Sequence, residues 1–272
     1  MASHRCRPEA RKETRLLFLR SAAFNLTFYA MSVVMVIAAS PAFLLPSGAT
    51  FRAMEVWSRA TLWLLRVVAG TTYEVRGKLP EGGVLVASKH QSMWDTIVMT
   101  AILKRPAMVL KRELLWIPFY GWYAQKSRMI AIHRGAGSNA IRRLVAQGKA
   151  AIAGGRPIVI FPEGTRSAPG SKLEYKPGIA ALYRQLGVEC VPAAVNSGLF
   201  WARRGFARRP GTIVLEFLEP IPAGLDRKTF MSELETRIET ATAKLVGEAG
   251  GPSALAAEPV ENEPHPLRGN RG

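Results

Sequence analysis

Short apolar runs recur along the middle of the chain, and most of them end at a polar or charged residue. These runs cover residues 72–76, 84–87, 107–110, 129–132, 157–161, 189–195 and 211–217. Runs of this length are too short for helices and are typical of buried strands. Longer stretches with helical character lie between them, at about residues 96–103, 139–153 and 178–186, and a last one reaches about residue 246. The alternation predicts an α/β domain with a mostly parallel sheet flanked by helices.

The first 70 residues follow another pattern. Residues 21–45 carry no charge, and as one helix they would reach ~37 Å, against a hydrocarbon core of ~30 Å. Pro41 and Pro46 interrupt the end of this segment. Residues 51–68 are amphipathic and contain two tryptophans, as is typical of a helix at a membrane interface. The pattern predicts a membrane-associated two-helix hairpin over residues 1–70.

Two other interpretations of the apolar segment stay open. Six basic residues against two acidic ones precede it, which favours a cytoplasmic N-terminus. A helix that crossed the bilayer fully would then put the following domain outside the cytoplasm. A cleavable signal peptide is the second alternative because AAS before Pro41 resembles a cleavage site, although the apolar region is longer than usual. The hairpin keeps the following domain on the cytoplasmic side.

The rest of the chain divides at about residue 248. Residues 71–248 contain all the predicted strands and form the predicted catalytic domain. Residues 249–272 are rich in Gly, Pro, Ala and Glu, a composition that favours a disordered tail. We expect the C-terminal helix before this tail to begin at Asp226 as its N-cap.

Composition narrows the partners. The formal net charge is +17, so nucleic acid, acidic lipid and phosphorylated substrates are candidate partners. The basic residues are scattered and no nucleic-acid-binding motif occurs, which argues against nucleic acid. Cys6 and Cys190 are the only cysteines, too few for a disulfide framework or a zinc cluster. We therefore expect no metal and a reducing compartment.

Candidate chemistry begins where the run of residues 84–87 ends. His90 follows this predicted strand and Asp95 lies five residues later, in the first turn of the next predicted helix. Ligands of α/β proteins usually bind at the ends of strands. A carboxylate bonded to one imidazole nitrogen holds the ring and stabilises the imidazolium, so that the other nitrogen can take a proton. The alternative is a histidine that only caps the helix.

A second polar segment follows the predicted strand at residues 157–161. It reads Glu163-Gly164-Thr165-Arg166. A guanidinium at this strand end can bind a phosphate in a bidentate fork, and the glycine lets the backbone approach closely. The alternative is a loop in which Glu163 and Arg166 pair with each other.

Basic residues also end two other predicted strands and form one loop. Lys111 follows residues 107–110 and Arg134 follows residues 129–132, so both are candidates to add positive charge to the same crevice. The sequence signal for Arg134 is less specific than the signal for Lys111. Further along, two arginine pairs flanked by aromatic residues suggest either a second membrane-contact loop or a basic surface loop, over residues 201–209.

Four blocks occur in one order across residues 84–198. They read HQSMWD, KRELLWIPFYGW with IAIHR, FPEGTRS, and VPAAVNSG. In residues, order and spacing they resemble the glycerolipid acyltransferase family, and within it the bacterial 1-acyl-sn-glycerol-3-phosphate (lysophosphatidate) acyltransferases. One departure is Lys89, where many members of that family have asparagine before the histidine.

The resemblance implies an activity. It is the transfer of an acyl chain from acyl-CoA or acyl-carrier protein to the sn-2 hydroxyl of 1-acyl-glycerol-3-phosphate, which gives phosphatidic acid for phospholipid biosynthesis. Acylation of glycerol-3-phosphate or of another lyso-lipid is the alternative. No cofactor is implied beyond the acyl donor. The hydroxyl would attack the thioester directly, since no GxSxG nucleophile motif occurs and Cys190 lies in an apolar run without an evident base.

The resemblance also implies residue roles and a location. His90 would be the general base and Asp95 would orient it. The phosphate would be held by Arg166, Lys111 and Arg134, and the loop would be braced by Glu163, Gly164 and Thr165. The partners would be lysophosphatidic acid and an anionic phospholipid surface. We expect the bacterial inner membrane, with the active site on its cytoplasmic face.

Overall fold

Seven β-strands lie in one sheet in the computed structural model, which describes residues 7–132 and 137–252. The strands are β1 Thr71–Arg76, β2 Leu85–Ser88, β3 Ala107–Lys111, β4 Ile130–Ile132, β5 Ile158–Ile160, β6 Cys190–Val195 and β7 Gly211–Phe217. Each predicted strand therefore exists, with ends within one residue of the predicted ones. Valine, isoleucine and alanine fill the central strands, which are buried on both faces as parallel strands require.

Helices join and cover the strands. They are α1 Arg7–Ala38, α2 Ser47–Leu64, α3 Trp94–Ile102, α4 Tyr120–Lys126, α5 Gly137–Ala153, α6 Gly178–Leu186 and α7 Arg227–Glu248. Short 3₁₀ turns lie at Ser40–Phe43, Arg112–Trp116 and Ser197–Leu199, and a π turn lies at Leu65–Ala69. As predicted, Asp226 caps α7: its side chain accepts from the backbone N–H groups of Lys228 and Thr229.

The order of strands across the sheet is β1-β7-β6-β2-β5-β3-β4. All neighbouring strands run parallel except β6 and β7, which are antiparallel. The predicted fold class, a mostly parallel α/β sheet flanked by helices, is confirmed. Because β2, β3, β5 and β6 are parallel, their carboxyl ends meet at one edge of the sheet, where ligands of such folds bind.

Alternate strand residues point to two hydrophobic cores, one on each face of the sheet. On β2, Val86 joins the core beneath α2 and α3, whereas Leu85 and Ala87 join the core beneath α5, α6 and α7. Both cores are closed by fully buried side chains, so the carboxyl edge of β2 is held from both sides.

The N-terminal helices form an antiparallel pair. Trp57 of α2 donates its indole N–H to the Ser32 hydroxyl of α1 at 3.0 Å, while Arg20 lies beside Gly70 at the other end of the pair. Buried residues of both helices join the core that also holds α3. The predicted boundary at residue 70 therefore separates secondary-structure elements and does not separate hydrophobic cores.

The first helix differs from the predicted segment in its bounds. It begins at Arg7, within the basic segment, and ends at Ala38, before Pro41 opens a 3₁₀ turn. Residues Arg11–Ala38 are long and apolar enough to cross a membrane, and 17% of their most apolar window is buried. A core helix of a soluble protein is mostly buried. The predicted tail falls largely outside the described residues, which end at 252.

Candidate active site

The junction of β2 and α3 brings His90 and Asp95 into contact. His90 Nδ1 lies 2.9 Å from Asp95 Oδ2. The same oxygen accepts hydrogen bonds from the backbone N–H groups of Gln91 at 2.8 Å and Ser92 at 2.9 Å. These N–H groups are free to donate because the backbone before α3 is irregular. The other oxygen, Oδ1, accepts the Ser197 hydroxyl at 2.5 Å. These four bonds hold a buried carboxylate in one orientation.

This geometry determines which nitrogen of His90 is free. A carboxylate only accepts hydrogen bonds, so Nδ1 carries the proton and Nε2 is left as an acceptor. The side chain of His90 is 15% exposed, compared with 2% for Asp95. The helix-capping alternative is wrong, because Met93 occupies the N-cap of α3 and the cap has no side-chain bond.

Phe161 holds the imidazole from its face. It follows β5, and its ring stacks on His90 with centroids 3.9 Å apart and planes 18° from parallel. The ring is therefore fixed by a hydrogen bond at its edge and by an aromatic contact on its face. In the sequence, Phe161 is only the last residue of a predicted strand, and no pattern there indicates this contact.

A buried ion-pair network lies directly behind His90. Lys89 is fully buried, and its ammonium donates to Glu163 Oε1 at 2.7 Å and to both carboxylate oxygens of Glu239, on α7, at 2.9 Å. Tyr175 donates its hydroxyl to the same Glu239 at 2.9 Å. Burial raises the pKa of Glu163, and the charge of Lys89 opposes this effect. The predicted alternative, a pair between Glu163 and Arg166, is wrong because Glu163 pairs with Lys89.

The loop after β5 is bonded to the backbone of His90. Gly164 adopts a left-handed φ of 68°, and its N–H donates to the carbonyl of Phe161 at 2.9 Å, which closes a tight turn. Ser167 N–H donates to the His90 carbonyl at 2.8 Å, and the Ser167 hydroxyl donates to Glu163 Oε2 at 3.2 Å. Thr165, in the same loop, is half-buried. The loop therefore holds residues 164–166 beside the imidazole.

Arg166 projects from this loop as a half-buried cation. Burial lowers the pKa of its guanidinium, the nearby Arg203 lowers it further, and the charge of Asp95 raises it. Within the described part of the chain, no carboxylate forms an ion pair with Arg166. A guanidinium held in this way next to the His90–Asp95 pair is suited to bind an anion.

Of the other two predicted basic residues, the structure describes only Lys111. Lys111 is exposed at the carboxyl end of β3, on the same edge as His90. Since β3 lies two strands from β2, the separation along the sheet is about 10 Å. Arg134 lies outside the described residues. The structure thus brings His90, Asp95 and the residue 163–166 loop together, with Lys111 further along the same edge.

A metal site and a reactive cysteine would be further sources of chemistry beside this arrangement. In the described ranges, no three His, Cys, Asp or Glu side chains form a group that could hold a metal ion. Cys190 is fully buried in β6, and burial raises the pKa of its thiol well above the usual range. A buried neutral thiol is a poor nucleophile.

Four residues of the site had weaker signals in the sequence. Ser197 and Ser167 lie in two of the four blocks that carry the resemblance, in the segments that follow β6 and β5. Lys89 stood out only as a departure from that resemblance, and Glu239 lies on a distant helix without a motif. A pattern of polar residues after predicted strands can therefore indicate some of these residues, whereas no pattern indicates Glu239.

Comparison with known proteins identifies relatives of this chain. The sequence model of the acyltransferase family matches residues 71–196. A 1-acyl-sn-glycerol-3-phosphate acyltransferase of Pseudomonas aeruginosa is 36% identical over 208 residues, which cover 75% of this chain and 81% of the relative. A lyso-ornithine lipid O-acyltransferase of the same organism is 29% identical over 201 residues, covering 66% and 76%.

A solved structure has the same fold. It is the 1-acyl-sn-glycerophosphate acyltransferase of Thermotoga maritima, which superimposes with a TM-score of 0.69 and covers 84% of this chain and 97% of that one, at 19% identity. The chain thus has an α/β fold with a mostly parallel sheet. The chain belongs to the acyltransferase family, as its resemblance implied.

Proposed function

We propose that this enzyme acylates the sn-2 hydroxyl of 1-acyl-glycerol-3-phosphate and so forms phosphatidic acid. The observation that carries the proposal is the bond between His90 Nδ1 and Asp95 Oδ2 at 2.9 Å, which leaves Nε2 free. The cationic Arg166 lies on the loop that is bonded to the His90 backbone. A base and an anion-binding group next to each other suit an acceptor that carries both a hydroxyl and a phosphate. The 36% identity to a relative named for this acceptor supports the same choice.

The chemical step needs one proton acceptor. Nε2 of His90 takes the proton of the acceptor hydroxyl as its oxygen attacks the thioester carbonyl of the acyl donor. Asp95 stabilises the imidazolium that forms. Collapse of the tetrahedral intermediate breaks the carbon–sulfur bond, and the thiolate leaves with the proton from the imidazolium. The acyl group passes directly to the acceptor, in line with the buried and neutral state of Cys190.

Arg166 holds the phosphate in this proposal, and Lys111 and Arg134 add positive charge. Hydrogen bonds to charged groups contribute roughly 1.5–3 kcal/mol each. Glu163, Gly164 and Thr165 brace the loop, and the bonds of Glu163 to Lys89 and Ser167 support that role. The acyl donor is acyl-CoA or acyl-carrier protein, and no other cofactor takes part.

In this proposal the N-terminal helices hold the active site at the membrane surface. The mostly exposed apolar surface of α1 supports an association with lipid, where acceptor and product reside. We propose that α1 and α2 act as an interfacial hairpin at the bacterial inner membrane, with the active site on the cytoplasmic face. An anionic leaflet would attract the surplus positive charge at roughly 1 kcal/mol per basic residue near its surface.

One assay tests the acceptor and the donor. The purified enzyme is given labelled acyl-CoA or acyl-carrier protein with lysophosphatidate, glycerol-3-phosphate or a lyso-ornithine lipid. We expect the highest kcat/KM with lysophosphatidate. A higher value with lyso-ornithine lipid, the acceptor in the name of the second relative, would contradict the proposed acceptor while keeping the reaction class.

A substitution tests the base. We expect His90→Ala to lower kcat by about 10²–10⁴ because general-base help of this size is lost. The control is the thermal melting curve of the same variant, which shows whether it is still folded. Unchanged kcat in a folded variant would contradict the role of His90.

A further inference from the structure

The loop between β6 and β7 presents two adjacent arginines toward the active site. Arg203 and Arg204 are exposed and lie in a turn that Gly205 N–H closes on the carbonyl of Ala202 at 3.3 Å. Arg203 Nη1 donates to the backbone carbonyl of Arg166 at 3.2 Å. The turn is therefore bonded directly to the loop that carries the active-site guanidinium.

A buried arginine holds this loop in place. The guanidinium of Arg208 lies 4.4 Å from the ring centre of Trp201 and donates to the Gly205 carbonyl at 2.8 Å and to Asn25 Oδ1, on α1, at 3.0 Å. Both Trp201 and Arg208 are more than nine-tenths buried. These two residues brace the loop from inside, whereas Arg203 and Arg204 are exposed on its turn.

The arginines of these two bonded loops carry like charges that act on one another. In the part of the chain that the structure describes, none of Arg166, Arg203 and Arg204 forms an ion pair. Both loop arginines lower the pKa of Arg166, in addition to the larger effect of burial. Clustered like charges repel one another, and a bound anion relieves that repulsion.

The same loop is tied to the catalytic pair. It follows Ser197–Leu199, and Ser197 donates to Asp95 at 2.5 Å. The turn at Arg203 and the pair at His90 are thus linked by a short segment of chain as well as by the bond to Arg166. An anion bound between Arg166, Arg203 and Arg204 would lie at the edge of the site that holds the imidazole.

We propose that Arg203 and Arg204 complete, with Arg166, a binding site for the phosphomonoester of the acceptor. This inference rests on the proposed function and deepens it. A phosphomonoester carries a charge of about −1.5 to −2 at pH 7 and three acceptor oxygens, which match several guanidinium groups better than a singly charged phosphodiester does. The two loop arginines therefore select acceptors with a terminal phosphate.

Kinetics test the site with a matched control on the same loop. Arg203→Ala and the double variant R203A/R204A are compared with Arg209→Ala, an exposed arginine that does not affect the pKa of Arg166. We expect the double variant to raise KM for lysophosphatidate about tenfold, the loss of roughly one charge-assisted hydrogen bond. KM for acyl-CoA should stay unchanged, as should both constants in the Arg209 variant.

A binding measurement without turnover separates the two proposals. We expect sn-glycerol 3-phosphate, compared with glycerol, to raise the melting temperature of the wild-type enzyme and not of the double variant. An enzyme that does not acylate lysophosphatidate would contradict the proposed function. If the wild type does so and the double variant keeps its KM, the inference about the loop is wrong.

Two other outcomes would also overturn the inference. A rise in KM for acyl-CoA alone would assign the arginines to the phosphates of the donor. Weaker binding of the double variant to anionic vesicles, with KM for lysophosphatidate unchanged in detergent, would assign them to the lipid surface.

Discussion

Lys89 carries a charge with no exposed surface, which is a costly arrangement in a protein. An ammonium removed from water costs several kcal/mol unless ion pairs and hydrogen bonds replace the lost hydration. Here Glu163, Glu239 and the carbonyl of Ser171 satisfy its three N–H groups. The result is a fixed loop behind His90, because Glu163 also accepts from the His90 backbone N–H at 3.4 Å.

Removal of this charge should therefore destabilise the fold. We expect Lys89→Met to lower the free energy of unfolding by about 3–5 kcal/mol because it leaves two carboxylates without their cation. Adding Glu163→Gln should recover part of the loss, with a coupling energy of about 1–3 kcal/mol. Urea denaturation measures both values.

The control for this prediction is an ion pair at the surface. Lys172 pairs with Glu235 at 2.5 Å, and its side chain is 62% exposed. Exposed pairs contribute about 0–1 kcal/mol, so Lys172→Met should change little. Equal losses in the two methionine variants would mean that burial of Lys89 does not determine its contribution.

At the scale of elements, α7 connects the end of the chain to the site. Its residues Phe230, Leu234 and Ile238 are fully buried against the sheet, and Glu239 follows them on the side of Lys89. The start of α7 determines this register, since Asp226 fixes the first turn through bonds to Lys228 and Thr229. A helix that frays at this end would loosen the network behind His90.

The cap of α7 gives a prediction with a defined pH dependence. Hydrogen bonds from Thr229 hold the pKa of Asp226 below its usual value of 3.8. Because the pKa is lower in the folded state, the ionised carboxylate stabilises the fold at pH values above the unfolded-state pKa. This contribution is lost as the pH falls through the folded-state pKa. We expect Asp226→Ala to lower Tm by about 2–4 °C at pH 7.

Calorimetry at several pH values checks this effect. The difference in Tm between wild type and Asp226→Ala should narrow once the pH falls below 3.8. Asp226→Asn is the matched control because it keeps a capping oxygen and loses the charge. A difference that stays constant over the acid range would contradict a contribution from the ionised carboxylate.

On the scale of the whole molecule, an apolar surface and a large positive charge occur together. Exposed apolar side chains line α1, continue on α2 and reappear beside α4. Examples are Leu26, Val34, Trp63, Trp116 and Trp122. Phe43, at the turn between α1 and α2, packs on Tyr123 of α4 with ring centroids 4.5 Å apart. The net charge of +17 would add long-range attraction to anionic lipid, which salt weakens.

Vesicle flotation separates these two contributions. We expect binding to anionic vesicles to fall as NaCl rises, with a remainder from apolar contact that salt does not remove. The double variant V33E/V34E, on the exposed face of α1, should reduce that remainder at least tenfold, because each buried valine contributes about 1.5–3 kcal/mol.

The control is a variant that changes the net charge by the same amount as V33E/V34E. Lys228→Glu on the exposed start of α7 also changes the net charge by two. It should leave binding at high salt unchanged. If it reduces binding at high salt as much as V33E/V34E does, charge alone would explain the attraction and the apolar surface of α1 would have no part in it.

The sequence by itself determined the strands and most of the helices, although α4 had no predicted counterpart. Strand bounds followed from short apolar runs, and His90, Asp95 and Arg166 followed from the polar segments that come after those runs. Both are local properties, because a buried strand needs apolar side chains over its own length and its end is free to be polar. The start and end of α1 were less accurate, since basic residues continue a helix as readily as apolar ones do.

Only the tertiary structure decided what holds those residues. Ser197 reaches Asp95 across 102 positions, and Glu239 reaches Lys89 across 150. Phe161 stacks on His90 because β5 lies next to β2, and β6 lies on the other side of β2. The order of strands follows from how both faces of the sheet are packed by helices, and no local pattern in the chain encodes it.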